Sequence, residues 1–297
     1  MLLSMETQKL FGKFTEEEGI AAAAEAGFDA LDYSMNGAPP DQKLGFKEAA
    51  AHAEKLRGMA EKAGLCFNQA HASFPVYREG EAEFNETMSA RVKDEIRVAS
   101  IIGAKNIIVH PFEVKNGGKY MDAAAQKETN LKFYRELEST ALEVGIKIAL
   151  ENLNGWDYDK HCYAPTVCSY AAWLAEYLDE LNPAAFTVCL DVGHSNITGE
   201  APDQAIRVLG NKRLTALHIH DNDSFGDAHD LPFTGTIDWY ALTKALGEID
   251  YQGDFTYEAS NFVGRREAEK LPQALRYMVK LGRNFIQNID EHRPKKI

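Results

Sequence analysis

Ten side chains able to bind a cation or carry a proton recur in short polar signatures. They are His71 in NQAHAS, His110 in IIVHP, Glu151 in IALENLNG, Asp191 and His194 in CLDVGH, His218 and His220 in ALHIHDND, Asp227 and His229 in DAHDLPFTG, and Glu258 in FTYEAS. Each has an ordinary explanation alone, since a strand histidine is commonly a hydrogen-bonded core residue and a strand-end Asp or Glu can cap the next helix. Gathered in one pocket, however, carboxylates and imidazoles repel or stay unsatisfied unless a cation sits among them. The set offers oxygen and nitrogen donors without thiolate, which suits Mn, Mg, Co or Zn and does not choose among them. Such an ion polarises a carbonyl or hydroxyl, and a neighbouring carboxylate can then move a proton.

Those signatures need elements that deliver them to one place. Apolar runs at 2–5, 28–34, 65–72, 106–111, 146–153, 186–192, 214–220 and 255–260 read as strands, with helical periodicity between them. A T-E-E-E capping box at Thr15 opens a helix that runs to Ala26 and stops at Gly27. Further helices are expected over 46–63, 82–102, 126–144, 166–181, 203–209, 237–249 and 267–288. Strict alternation implies a parallel sheet covered by helices. Eight such units in 297 residues, with no Gly-rich turn after the first strand, fit an α/β fold of one closed (β/α)8 TIM barrel. No Pro/Gly/Ser-rich linker divides the chain, so one domain over 1–297 is expected. In a barrel the chemistry belongs at the strand C-termini. Six of the nine histidines fall there, leaving His52, His161 and His292 at the periphery. His218 and His220, two apart, share one face of their strand, and Asp221 points the other way.

Composition removes other classes. With 32 Lys+Arg against 45 Asp+Glu the net charge is −13, and no window is rich in basic residues, so nucleic acid is a disfavoured partner. No run approaches roughly 18 apolar residues, which argues against a membrane span. The N-terminal MLLSMETQKLF lacks the basic start of a signal peptide, and Cys66, Cys162, Cys168 and Cys189 show no C-x-x-C spacing. A cytoplasmic protein with reduced thiols is expected. The apolar residues on the helices leave a homo-oligomer open.

The segments LENLNG, CLDVGH, LHIHD, LPFTGTIDW and the strand-eight Glu258 resemble the xylose-isomerase-like TIM-barrel superfamily. That group includes sugar-phosphate isomerases and epimerases, ketose 3-epimerases, inosose dehydratase and endonuclease-IV-like enzymes. The resemblance spans strands three to eight. It implies a divalent metal held by Glu151, Asp191, His218 and Glu258, with Glu151 and Glu258 exchanging protons with a carbohydrate substrate. It also matches Asp157 and His194 to residues of the ketose-epimerase-like members, whereas Ser224 stands where those members carry an arginine. Trp156, Asp157 and His220 are the expected substrate contacts.

The activity so implied is that of a metal-dependent sugar or sugar-phosphate isomerase/epimerase. Endonuclease-IV-like members hold three zinc ions with nine residues. The five beyond the shared four are matched here by His71, His110, His194, Asp227 and His229. A trinuclear phosphodiesterase is therefore the first alternative, and a dehydratase or lyase acting on a sugar or cyclitol the second. A barrel that binds a sugar without turning it over is a third. A phosphorylated substrate would call on Arg265 and Arg266, the basic pair near strands seven and eight.

Overall fold

Eight short strands, β1 (Leu3–Glu6), β2 (Ala30–Ser34), β3 (Cys66–His71), β4 (Asn106–Ile108), β5 (Lys147–Glu151), β6 (Phe186–Asp191), β7 (Leu214–His218) and β8 (Phe255–Tyr257), lie side by side in chain order. All neighbours in the sheet run parallel, and β1 pairs with both β2 and β8. Past the end of β7, Ile219 donates to the Thr256 carbonyl at 2.9 Å and accepts from the Glu258 amide at 3.0 Å, which closes the ring. The computed structural model describes residues 1–36, 44–116, 119–157 and 159–295. Among them no helix is long and apolar enough to cross a membrane.

Eight helices cover the barrel: α1 (Glu16–Ala26), α2 (Phe46–Lys62), α3 (Ala82–Ile102), α4 (Ala123–Val144), α5 (Ala171–Leu178), α6 (Pro202–Arg213), α7 (Trp239–Glu248) and α8 (Leu271–Glu291). The capping box that opens α1 is formed, with the Glu18 amide donating to Thr15 Oγ1 and the Thr15 amide to Glu18 Oε2. Helix α8 buries Leu271, Leu275, Met278, Gly282, Phe285 and Ile289, a spacing of three and four that puts one apolar stripe on the barrel.

The strands are shorter than their apolar runs, because the last residues of each run leave the ladder at the mouth; β4 ends at Ile108 and Glu258 lies one residue beyond β8. The helix expected over 166–181 begins only at Ala171. Before it, Asn154–Asp157 and Cys162–Pro165 pair as an antiparallel hairpin, the Thr166 amide donates to Ser169 Oγ, and Cys168 takes φ +58°. That backbone is incompatible with a helix at 168. The helix expected over 203–209 extends to Arg213 across a break at Gly210, and the one expected over 267–288 starts with a separate 3-10 turn, Ala268–Lys270.

Residues two apart on each strand face the barrel axis and stack in layers. Polar Ser4, Asn68 and Thr256 hydrogen-bond across the bottom, and Thr187 meets Thr215 at 2.8 Å. Ile108, Ala149, Cys189 and Ala216 fill the middle as a separate buried cluster. Small side chains at three of these four positions let the next layer up, which contains Glu151, Asp191 and His218, sit deep in the mouth.

Where α8 crosses β1, Gly282 leaves no room for a side chain: a methyl there would overlap the Leu3 side chain and come within 3.2 Å of the Tyr257 ring. Leu3 is itself fully buried. Gly282→Ala is therefore expected to destabilise the fold by about 1–3 kcal/mol, despite alanine's better helix propensity. Urea denaturation of the variant against wild type checks this.

Candidate active site at the barrel mouth

Glu151 is the hinge of the site. Its Oε1 is 2.9 Å from His218 Nδ1, and its Oε2 is 2.7 Å from His110 Nε2 and 3.6 Å from His71 Nε2. His218 Nδ1 also faces Glu258 Oε2 at 3.4 Å. Asp191 completes a set with Glu151, His218 and Glu258 in which all four potential ligand atoms lie within 4.8 Å of one another. Three further groups pass the same test: His71, His110 and Glu151 on one flank, His194, His220, Asp227 and His229 on the other, and His71, His218 and Glu258 joining the first flank to the central set. The mouth thus gathers all ten residues of the sequence signatures.

Backbone contacts orient several of these side chains. Asp191 caps the short helix Val192–Thr198, its Oδ1 accepting from the His194 amide at 2.7 Å, so capping and site duties fall on one carboxylate. His194 Nδ1 donates to the Asn152 carbonyl at 2.8 Å and His229 Nδ1 to the Glu258 carbonyl at 3.1 Å. A carbonyl can only accept, so Nδ1 of both rings carries a proton, and each ring turns Nε2 towards Asp227, at 3.4 and 3.3 Å. His220 lies flat against His229, with ring centroids 3.9 Å apart, and its Nε2 donates to both oxygens of Asp191 at 2.9 Å. The motif glycine of CLDVGH follows from this: a Cβ at Gly193 would overlap the His220 ring.

Electrostatics show what the arrangement demands. Burial pushes the Glu151 carboxyl up, but His218 and His110 outweigh it and hold the group well below the usual carboxylate range. Asp191 is likewise depressed by His194 and His220 against the cost of burial. Burial lowers the imidazoles of His218 and His194, yet the acids around them carry both well above the ordinary histidine value, and His229 reaches about 10 beside Glu258 and Asp227. Protons on the imidazoles thus offset the carboxylates, while Glu258 Oε2 and Asp227 Oδ1 remain buried without hydrogen-bond partners. Converging oxygen and nitrogen donors with unspent lone pairs fit a divalent cation.

Two acids outside the sequence signatures belong here. Asp32 on β2, fully buried, accepts from Gln69 Nε2 at 2.9 Å and stands 3.4 Å from His218 Nε2, behind the imidazole. Glu6, at the end of β1, has its carboxyl raised to about 8 by burial and by the charges of Asp32 and Glu258. Neither falls in a polar signature: Asp32 is the middle residue of β2 and Glu6 the last of β1, and closure of the barrel brings both to the mouth.

The expected substrate contacts fare differently. Trp156 stands partly exposed on the hairpin. Asp157 is turned to its own hairpin, 3.0 Å from Lys160 Nζ and accepting from the Asp159 and Lys160 amides. His220 has no exposed surface, and its Nε2 holds Asp191. Arg265 pairs with Asp230 at 2.6 Å, and Arg266 donates to the Phe262 carbonyl.

Asp221 points away from the mouth and knots the loop that carries Asp227 and His229. Its carboxylate accepts from Trp239 Nε1 and from the amides of Phe233 and Asn222, each at 2.9 Å. Asp221→Ala is expected to cost about 3 kcal/mol by orphaning these donors, and to weaken metal binding through the displaced loop. Urea melts and a metal titration measure the two effects. A second expectation concerns protons: because the acids around His218, the imidazole of the central set, hold it well above the ordinary histidine value, uptake of a divalent cation by chelator-treated protein at pH 7 is expected to release protons. Calorimetry in two buffers of different ionisation enthalpy detects this, and equal heats in both would contradict it.

A family model described as a xylose isomerase-like TIM barrel matches residues 20–281. A Sinorhizobium fredii protein named y4fM is 26% identical over 264 residues, covering 79% of this chain and 78% of that one. A D-psicose 3-epimerase of Enterocloster bolteae is 28% identical over 132 residues, or 44% of this chain and 40% of the relative. Among solved structures, the apo form of the E. coli 3-keto-D-glucoside 4-epimerase YcjR superposes with a TM-score of 0.73 at 22% identity, over 96% of this chain and 99% of that one. The chain belongs to the xylose isomerase-like TIM barrel family.

Proposed function

We propose that the protein is a metal-dependent sugar isomerase or epimerase. One observation carries this reading: Glu151 and Glu258, from β5 and from the end of β8, reach His218 Nδ1 from different sides of the mouth, at 2.9 and 3.4 Å. Glu151, Asp191, His218 and Glu258 would hold a divalent cation, which when bound supplies electrophilic polarisation of a carbonyl or hydroxyl oxygen. The chain's own groups do the rest. One glutamate takes the proton from the carbon beside the carbonyl, and the other returns a proton from a different direction, which inverts or relocates the centre. Asp32 and Glu151 orient His218, while Asn152 fixes β6 by accepting from the Asp191 amide and donating to its carbonyl, both at 2.8 Å. The D-psicose 3-epimerase and the keto-glucoside epimerase named above support sugar chemistry of this kind. A cytoplasmic setting is part of the proposal, in keeping with four free cysteines.

A second reading, a trinuclear phosphodiesterase, is favoured by the two flanking groups that share the mouth with the central set. Against it stand Arg265 and Arg266, both engaged within the protein where a phosphodiester would need them.

Metal stoichiometry separates the two. One ion per chain, with deuterium entering ketoses from heavy water, is the expected result; three ions with phosphodiester hydrolysis overturns it. Glu258→Gln is expected to keep metal within about tenfold of wild-type affinity while losing at least ~100-fold in the rate of deuterium exchange. Full exchange in a metal-loaded Glu258→Gln protein would remove Glu258 from proton transfer.

A further inference from the structure

Beyond the flank formed by His71 and His110, the mouth continues outward. The Phe74 ring packs edge-on against His110 with centroids 4.8 Å apart. From there a cleft of about 420 Å3 runs between the loops after β3 and β4 and the hairpin after β5. Five aromatic side chains, Phe74, Tyr77, Phe112, Trp156 and Tyr163, line it. Tyr77 stacks on Phe112 at 4.7 Å and 15°, and Trp156 meets Tyr163 edge-on at 5.1 Å, so these rings are braced by one another. Phe74 and Trp156 are nevertheless 44% and 38% exposed. Asn154 and Thr166 add polar groups to the walls, and Lys115 lies 3.5 Å from Glu113.

Preformed aromatic faces with a few polar groups between them suit a ring that is apolar on its C–H faces and polar at its edges, as a pyranose is. A sugar reacting between Glu151 and Glu258 is engaged over the mouth, whereas this cleft begins beyond His110. Among the described residues that line it, the one basic group, Lys115, stands beside Glu113, so the cleft lacks the cluster of cationic donors that would favour a phosphate over a neutral ring. We propose that the cleft holds a second sugar ring, and that the substrate is a neutral glycosylated ketose rather than a free monosaccharide or a sugar phosphate. This rests on the isomerase reading. The reaction is balanced without a co-reactant: the C–H bond beside the carbonyl breaks and a C–H bond re-forms, and the glycosidic bond is untouched.

The test compares solvent-deuterium incorporation into D-fructose, D-fructose 6-phosphate, lactulose and isomaltulose by the metal-loaded protein. The expected result is a kcat/KM for lactulose or isomaltulose about tenfold or more above that for D-fructose, with the phosphate ester poorest. Tyr77→Ala and Tyr163→Ala should each lower the disaccharide-to-fructose ratio about fivefold or more, a ratio that cancels any loss of folded protein. Equal or better turnover of D-fructose, or a ratio unmoved in both variants, overturns the cleft assignment and leaves the isomerase reading standing. Exchange into none of the four sugars overturns that reading and this inference with it.

Discussion

Negative charge crowded into a low-dielectric space is the constraint on which this molecule turns. Glu6, Asp32, Glu151 and Asp191 are buried at the mouth, and Asp227 and Glu258 stand partly buried beside them. Carboxylates this close cannot all ionise unless something positive lies between them. The protein answers with imidazoles, and their perturbed protonation records the compensation. The middle layer of Ile108, Ala149, Cys189 and Ala216, the backbone carbonyls that orient two histidine rings, and the glycine that lets His220 approach Asp191 all serve that one arrangement.

Much of this is legible in the amino-acid sequence. Alternation of apolar runs with helical periodicity gave eight βα units, because parallel strands buried on both faces leave long apolar signatures. The same logic put ten polar residues at one end, and the mouth does gather them. Legibility failed where tertiary contacts override local pattern. The hairpin Asn154–Asp157 with Cys162–Pro165 is held by a turn at Thr166–Ser169, which no helical periodicity reveals. Asp32 and Glu6 carry no motif; only the geometry of the closed barrel puts them under His218 and Glu258. His220 illustrates the limit of strand alternation, which places a side chain on the inner face without telling whether it meets solvent or another carboxylate.

Floor and wall of the mouth are built on different principles. The floor rests on strand ends and short backbone-anchored helices, where side chains have little freedom. The wall towards Phe74 and Trp156 is made of loops and a hairpin braced by aromatic contacts. Rigid chemistry below and adaptable recognition above is a division that (β/α)8 barrels favour, since the loops vary without disturbing the ladder.

The knot at Asp221 carries this division further. One carboxylate collects donors from Asn222, Phe233 and Trp239, so the far half of the β7–α7 connection is fastened to the start of α7. That connection also delivers Asp227 and His229, and lengthening or reshaping it would drag a structural helix along with two site residues. Diversification of substrate preference in a barrel built this way is therefore steered to the opposite rim. There the loops after β3 and β4 and the β5 hairpin can change without unfastening anything that Asp221 holds.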